Sequence, residues 1–199
     1  MPVFLLGKEA AKDKNFENLK DKLVEKDNFY MLKPEVSGVS YFINRQKAKG
    51  KLDLFISLFD KDSFGVLNVV KEFNPAAHFL AVITGDKIET INGEAEVEED
   101  LRSVCVQKYY PKGFWDYITC RSKNIGSSWW DDCAVGMDLN KIRSCARSSE
   151  GRELLKKNCS LNEEIKVMFG PTYLLDNNQI FSSKGAPSRD ELKKIINKR

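Results

Sequence analysis

Five cysteines carry the most specific chemistry in this sequence. They are Cys105, Cys120, Cys133, Cys145 and Cys159, and neighbours in this series are 12 to 15 residues apart. None forms a Cys-x-x-Cys pair and the chain has one histidine, so the sequence predicts no metal site and no cofactor. Wide spacing within one segment favours structural disulfides formed in an oxidising compartment, with buried reduced thiols as the alternative. Because the count is odd, at least one cysteine must remain unpaired.

A second stretch with chemical potential is Asp60-Lys61-Asp62-Ser63, which follows an apolar segment and begins an amphipathic one. Carboxylates and hydroxyls at a helix start can accept hydrogen bonds from unpaired N–H groups, so Asp60, Asp62 or Ser63 is expected to cap a helix. A peptide- or anion-binding mouth is an alternative. A hydrolytic carboxylate pair is a third, but no base or metal ligand is evident to assist it.

The elements around this stretch follow a strand-helix-strand order. Residues 52–59 form a nearly continuous apolar run typical of a strand buried on both faces, and 64–73 carry apolar side chains at helical spacing. Residues 78–84 predict the next buried strand, in which His78 is expected to be a packed core residue. Helical character extends from 96 to 166 and is divided near Pro111. Strands at 171–175 and 179–181 then precede a last helix.

Several short motifs accompany this order of elements. They are Lys51-Leu52-Asp53-Leu54-Phe55, His78-Phe79, Phe114-Trp115-Asp116-Tyr117, Trp130-Asp131-Asp132-Cys133 and Gly170-Pro171-Thr172-Tyr173-Leu174. Together they resemble the DsbA-like family of thioredoxin-fold proteins over residues 51–197, and the insert also resembles that of gamma-interferon-inducible lysosomal thiol reductase. The resemblance implies an α/β, thioredoxin-like fold at 49–199 with a long α-helical insertion at about 96–166. Residues 1–48, with a helix expected at 15–25, are then an N-terminal βαβ extension or a partial thioredoxin-like unit.

In that family the first redox cysteine lies where a strand meets a helix N-terminus, because the helix dipole and free N–H groups lower the thiol pKa. On this sequence the position falls on Asp60 to Ser63, which carry no sulfur. A hydroxyl or carboxylate cannot form a mixed disulfide, so the motif is degenerate. Gly170, Pro171 and Thr172 match the loop that the family holds in a cis-proline conformation opposite this motif. Such a loop is consistent with a retained peptide-binding groove. It is equally consistent with a turn that requires proline and has no binding role.

The cysteines of the insert suggest a pairing. Cys120 and Cys133 flank a polar connection between two predicted helices, where a bridge is geometrically easy. Antiparallel packing would then bring Cys105 to Cys145, although other connectivities stay open. Cys159 is expected to be a buried spare thiol. A relocated reactive centre at Cys133 or Cys145 is the alternative, but neither has a neighbouring cysteine or histidine.

Charge and hydropathy exclude several functions. The 199 residues include 32 basic and 29 acidic side chains, interleaved along the chain, which gives no reason to expect nucleic-acid binding. No apolar run reaches the roughly 18 residues of a membrane span, and no signal peptide is visible. We therefore expect a redox-inactive module, stabilised by disulfides outside the cytoplasm (periplasmic or secreted), that binds a protein or peptide. The alternatives are a thiol-disulfide oxidoreductase using non-standard cysteines, part of a longer active protein, or a purely structural domain.

Overall fold

The chain divides into two compact units in the computed structural model, which describes residues 5–14, 16–25, 27–32, 39–42, 44–183 and 186–197. One unit comprises residues 1–51 together with 173–182, and the other comprises 52–172 together with 183–199. Strands and helices occur together throughout, so the α/β class expected from the sequence is confirmed. The expected boundary at residue 48/49 lies close to the first junction, but the returning segment 173–182 belongs to the first unit.

Short antiparallel strands build the first unit. β1 (Leu5–Gly7), β2 (Leu23–Glu25) and β3 (Phe29–Leu32) pair in the order β1-β3-β2. β4 (Val39–Tyr41), β9 (Thr172–Leu175) and β10 (Gln179–Ser182) follow the order β4-β10-β9, with β4 and β10 antiparallel. The rings of Tyr173 and Phe181 stack at 5.0 Å and are buried, which gives this unit part of its apolar core.

The helix expected at 15–25 does not form. Instead, 3-10 turns at Phe16–Asn18 and Lys20–Lys22 lead into β2. Phe16 is buried against the Tyr30 ring at 4.7 Å, whereas Leu19 is exposed, so the apolar positions do not share one buried face. A helix of this length is marginal without such packing. In its described part, residues 1–48 therefore consist of antiparallel strands and 3-10 turns, where the sequence predicted a βαβ arrangement.

The second unit begins with a parallel strand pair. β5 (Leu52–Ile56) lies parallel to β6 (Ala76–Phe79), with Leu54 opposite Ala77, and the crossover contains α1 (Ser63–Val70). Every residue of β5 is buried, as expected for a strand covered on both faces. The predicted strand at 78–84 is divided in two: β6 ends at Phe79, and β7 (Val82–Thr84) forms a separate hairpin with β8 (Lys87–Glu89).

The long helical segment contains four α-helices. They are α2 (Glu94–Tyr109), α3 (Phe114–Lys123), α4 (Leu139–Ala146) and α5 (Ser149–Ile165), with a 3-10 helix at Trp130–Cys133. Pro111 lies between α2 and α3, which it separates. The Asp138 carboxylate caps α4 by accepting hydrogen bonds from the N–H groups of Asn140 (2.9 Å) and Lys141 (3.1 Å). The last helix is α6 (Arg189–Asn197). Among the described helices, none has both the length and the apolar character that crossing a bilayer requires.

Candidate functional site

The Gly170–Pro171 peptide bond is cis, and its loop lies directly against the end of β5. A Cβ atom on Gly170 would be 2.9 Å from the carbonyl oxygen of Phe55 and 3.0 Å from the Cα of Ile56. Only glycine allows this approach of two backbones. The Thr172 hydroxyl closes the loop by donating to the Phe169 carbonyl at 2.8 Å. The cis-proline loop therefore borders the strand end from which residues 57–63 lead into α1.

Asp60 to Ser63, which occupy the expected redox position, form a tight turn into α1. The N–H of Ser63 donates to the Asp60 carbonyl at 3.0 Å, and the N–H of Val66 donates to the Asp62 carbonyl at 3.0 Å. Asp62 occupies the N-cap position, but its side chain makes no capping bond, so capping by Asp62 is a wrong prediction. The reason is its helical backbone conformation, since a capping side chain needs an extended backbone to reach back to the helix.

The Ser63 hydroxyl is also directed away from the start of α1. It is buried and donates to the carbonyl of Leu58 at 3.0 Å. This bond ties the first residue of α1 to the segment that follows β5. The hydroxyl thus has a structural partner already, and Ser63 is closed to solvent.

Asp60 is half-buried, and its electrostatic surroundings disfavour an anion. Burial raises the pKa of its carboxyl group, and the negative charges of Glu96 and Asp62 raise it further, against a hydrogen bond from the Ser57 backbone. A helix N-terminus ordinarily stabilises negative charge. Here desolvation and the neighbouring carboxylates raise the pKa of Asp60, which is the opposite of what a reactive thiolate requires.

Buried acidic residues form a row on α2, and the first of them, Glu96, contacts the segment that leads into this turn. Glu96 accepts hydrogen bonds from the Ser57 hydroxyl and, at 3.0 Å each, from the backbone and side-chain nitrogens of Asn92. Glu99 accepts from the Tyr117 hydroxyl at 2.8 Å and from Arg121 Nε at 3.0 Å. Sequence analysis missed this row. Its signal in the sequence was the spacing of Glu96, Glu99, Asp100 and Ser103 along one helix face.

Asp100 differs from its neighbours because neither of its carboxyl oxygens has a hydrogen-bond partner among the described residues. The side chain is buried. Burial raises the pKa of Asp100 well above its usual value, and the charges of Glu96 and Glu99 act in the same direction. Both causes favour the neutral carboxylic acid over the carboxylate.

His78 contacts a second buried acid. Its Nδ1 lies 2.8 Å from the Asn158 carbonyl oxygen, and its Nε2 lies 2.9 Å from Oδ1 of the buried Asp53. A carbonyl can only accept, so Nδ1 carries a proton. The ring also stacks on Phe55 at 4.9 Å, which places this histidine in the core between β5, β6 and α5. In the described part of the chain, no three His, Cys, Asp or Glu side chains are grouped to hold a metal ion.

Both disulfides join elements of the helical insert. Cys105 is bonded to Cys145, which joins α2 to α4, and Cys120 is bonded to Cys133, which joins α3 to the 3-10 helix. Cys159 is a buried free thiol whose Sγ donates to the Phe79 carbonyl at 3.2 Å. Burial raises the pKa of Cys159 to about 12, so the thiolate is scarce at neutral pH.

An apolar cavity of about 250 Å³ extends the surface beside the cis-proline loop. Its lining comes from the segments that flank β7 and from the residues just before the loop: Leu80, Ala81, Val82, Ile91, Val167 and Met168. Leu80 also approaches Gly170, since a Cβ there would be 3.3 Å from its Cδ1. The buried Asn162 lines the cavity with an Oδ1 that has no hydrogen-bond partner among the described residues. The arrangement can accept an apolar side chain that brings one hydrogen-bond donor.

Several solved structures share this architecture. The thiol-disulfide exchange protein α-DsbA2 of Wolbachia pipientis is 14% identical, with a TM-score of 0.57 over 80% of this chain and 85% of its own. DsbA of Pseudomonas aeruginosa is 14% identical, with a TM-score of 0.56 over 81% and 91%. The oxidoreductase NmDsbA1 of N. meningitidis is 12% identical, with a TM-score of 0.53 over 80% and 92%.

These likenesses are to the fold alone. They confirm the expected thioredoxin-like fold with a helical insertion of the DsbA kind. No protein-family model matches the sequence, and no curated protein matches it. Function must therefore be argued from the chain's own residues.

Proposed function

We propose that this chain is a thioredoxin-fold module that binds a segment of a partner protein or peptide and does not exchange disulfides. The observation that carries the proposal is the pairing of a cis-proline loop, packed on β5, with a strand-to-helix turn that contains no sulfur. Disulfide exchange needs an attacking thiolate. The binding surface beside the loop does not depend on that thiolate.

The apolar cavity next to the loop supports the binding role. Met168 and Phe169, the two residues before Gly170, are 54% and 72% exposed, and Ile91 is 72% exposed. Exposed apolar side chains grouped around a concave surface are characteristic of interaction sites. Burying one leucine-sized side chain of a partner would contribute about 1.5–3 kcal/mol. The free acceptor of Asn162 selects a side chain or backbone group that donates a hydrogen bond.

The electrostatics of the turn support a non-redox role. Asp60 lies where the family's nucleophile would be, and both burial and Glu96 disfavour negative charge there. Restoring one cysteine at this position would therefore give a thiol with a raised pKa. We also propose that the chain functions outside the cytoplasm, because two disulfides persist most readily in an oxidising compartment.

Selection of peptides tests the binding role. Random peptides displayed on phage are selected on the purified chain, and the affinity of an enriched peptide is measured by fluorescence polarisation. Met168→Ser should weaken binding by about tenfold or more, since it removes one apolar wall of the cavity. Val135→Ser is the matched control, because Val135 is an exposed apolar residue outside this cavity. Equal affinity for both variants and the wild type would refute the assigned surface.

The competing function is disulfide exchange through the insert, and it has one supporting observation. Cys120 is exposed, so the Cys120–Cys133 disulfide is accessible to another thiol. Insulin reduction with dithiothreitol separates the two functions. We expect no acceleration over dithiothreitol alone. If the chain accelerates insulin reduction and a Cys120→Ser, Cys133→Ser double variant does not, the proposed binding function is wrong and the chain is an oxidoreductase.

A further inference from the structure

A second cleft, of about 140 Å³, lies in the helical insert and is separate from the cavity beside the cis-proline loop. Three guanidinium groups line it around one indole ring. The residues are Arg102 and Glu98 on α2, Trp130 on the 3-10 helix, and Arg143 and Arg147 at the end of α4. With one acidic and three basic side chains, the lining carries a net positive charge.

Trp130 holds two of these guanidinium groups in place. The Cζ atom of Arg102 is 5.7 Å from the centre of the Trp130 ring, and that of Arg143 is 5.3 Å from it. The indole itself is largely buried. An aromatic face attracts cations, so the Trp130 ring favours the approach of both guanidinium groups to the cleft.

The three arginines differ in how fully their N–H donors are used. Arg102 donates to Glu98 and Glu99. Arg143 lies 3.7 Å from Asp131, which is an ion pair longer than a hydrogen bond. The guanidinium group of Arg147 makes no hydrogen bond or ion pair within the described ranges, although its backbone N–H donates to the Arg143 carbonyl at 3.1 Å. Donors on Arg143 and Arg147 are thus available at the cleft.

Both disulfides brace the elements that carry these groups. Cys105, three residues after Arg102, is bonded to Cys145, which lies between Arg143 and Arg147. Cys133, three residues after Trp130, is bonded to Cys120 on α3. The relative position of α2 and α4 is therefore restrained covalently, and the 3-10 helix that carries Trp130 is anchored to α3. A preorganised cluster loses less conformational freedom when an anion binds.

We propose that this cleft binds the phosphate or sulfate group of a ligand. A tetrahedral oxyanion offers enough acceptor oxygens for two guanidinium groups at once, and its double negative charge matches the surplus of the lining. A single carboxylate would be satisfied by one of them. The small volume admits one such group with little of the molecule that bears it.

Titration with simple anions tests the site. Sodium phosphate, sodium sulfate and sodium acetate are added to the full chain at constant ionic strength in chloride, and the Trp130 indole N–H signal is followed by NMR. We expect saturable shifts with phosphate, sulfate or both, with a dissociation constant on the order of 1 mM, and weaker binding of acetate. Acetate binding as tight as the better of the other two would overturn the assigned ligand class.

Matched variants locate the binding. Arg147→Gln should weaken binding about tenfold or more, because it removes an unpaired guanidinium at the cleft. Arg143→Gln is the second variant and should behave in the same way. Arg189→Gln removes the same charge from α6, where Arg189 pairs with Glu72, and should leave the affinity unchanged. An equal loss in Arg189→Gln, or the lack of a saturable Trp130 shift in the wild type, would overturn the site.

Discussion

Asp100 should make the chain more stable at acidic pH than at neutral pH. Its carboxyl group is buried without a described hydrogen-bond partner, and burial with the charges of Glu96 and Glu99 raises its pKa well above the usual value of 3.8. In the unfolded chain the group ionises near that usual value. The folded state therefore binds more protons over the interval between the two pKa values, and stability falls as pH rises through it.

The size of the effect follows from one proton. Each pH unit between the two pKa values lowers the free energy of unfolding by about 1.4 kcal/mol per proton. The contribution is complete below pH 3.8 and disappears as the pH passes the folded-state pKa.

The Asp100→Asn variant isolates the contribution of Asp100 to the pH dependence of stability, because an amide has nearly the same shape as the carboxyl group and does not ionise. Urea unfolding is followed by tryptophan fluorescence at pH 5, 6 and 7 with the disulfides intact. The loss of stability from pH 5 to pH 7 should be smaller in Asp100→Asn than in the wild type, by about 1.4 kcal/mol for each pH unit of that interval that lies below the folded-state pKa of Asp100. Asp132→Asn, at an exposed aspartate, is the control and should keep the wild-type dependence. An unchanged dependence in Asp100→Asn would refute the assignment of a neutral buried acid.

Three further predictions concern packing and reactivity. Gly170→Ala should lower the free energy of unfolding by roughly 1–3 kcal/mol, because its Cβ would meet the Phe55 carbonyl oxygen at 2.9 Å. Gly126→Ala, with no atom within 4 Å of its Cβ position, should be nearly neutral in the same urea titration. Tyr117→Phe should cost about 1.5–3 kcal/mol through the lost bond to a buried carboxylate, and a cost near zero would contradict that bond. Cys159 should resist alkylation by iodoacetamide at pH 8 until urea unfolds the chain, because burial raises its pKa to about 12. Mass spectrometry measures the labelling, and rapid labelling of the native protein would contradict this prediction.

The second unit was the more predictable part of the fold. The largely apolar sequence of β5 and the helical spacing of α1 are local patterns that the sequence expresses directly. The first unit was less predictable. Its apolar residues at 16, 19 and 23 have helical spacing, but only Phe16 and Leu23 are buried, and 3-10 turns and a strand form instead. Tertiary contacts, such as that between Phe16 and Tyr30, decided the local conformation.

At the candidate site, the sequence could identify types of residue but not their surroundings. The absence of sulfur at positions 60–63 and the Gly-Pro step at 170–171 are visible in the printed chain. The direction of the Ser63 hydroxyl, the buried acids of α2 and the apolar cavity are not. Each depends on contacts between residues far apart in sequence, for example Ser57 with Glu96.

The sequence by itself determined the order of elements and the chemistry that the chain lacks, because an element's period and a residue's atoms are local properties. Only the tertiary structure decided which polar groups are removed from water. Burial leaves Asp100 without a described hydrogen-bond partner and raises its pKa, whereas Glu99 bonds to Tyr117, Arg121 and Arg102, although the two acids are adjacent in the chain. Desolvation and the direction of hydrogen bonds depend on the whole fold, so a residue's identity cannot specify them in advance.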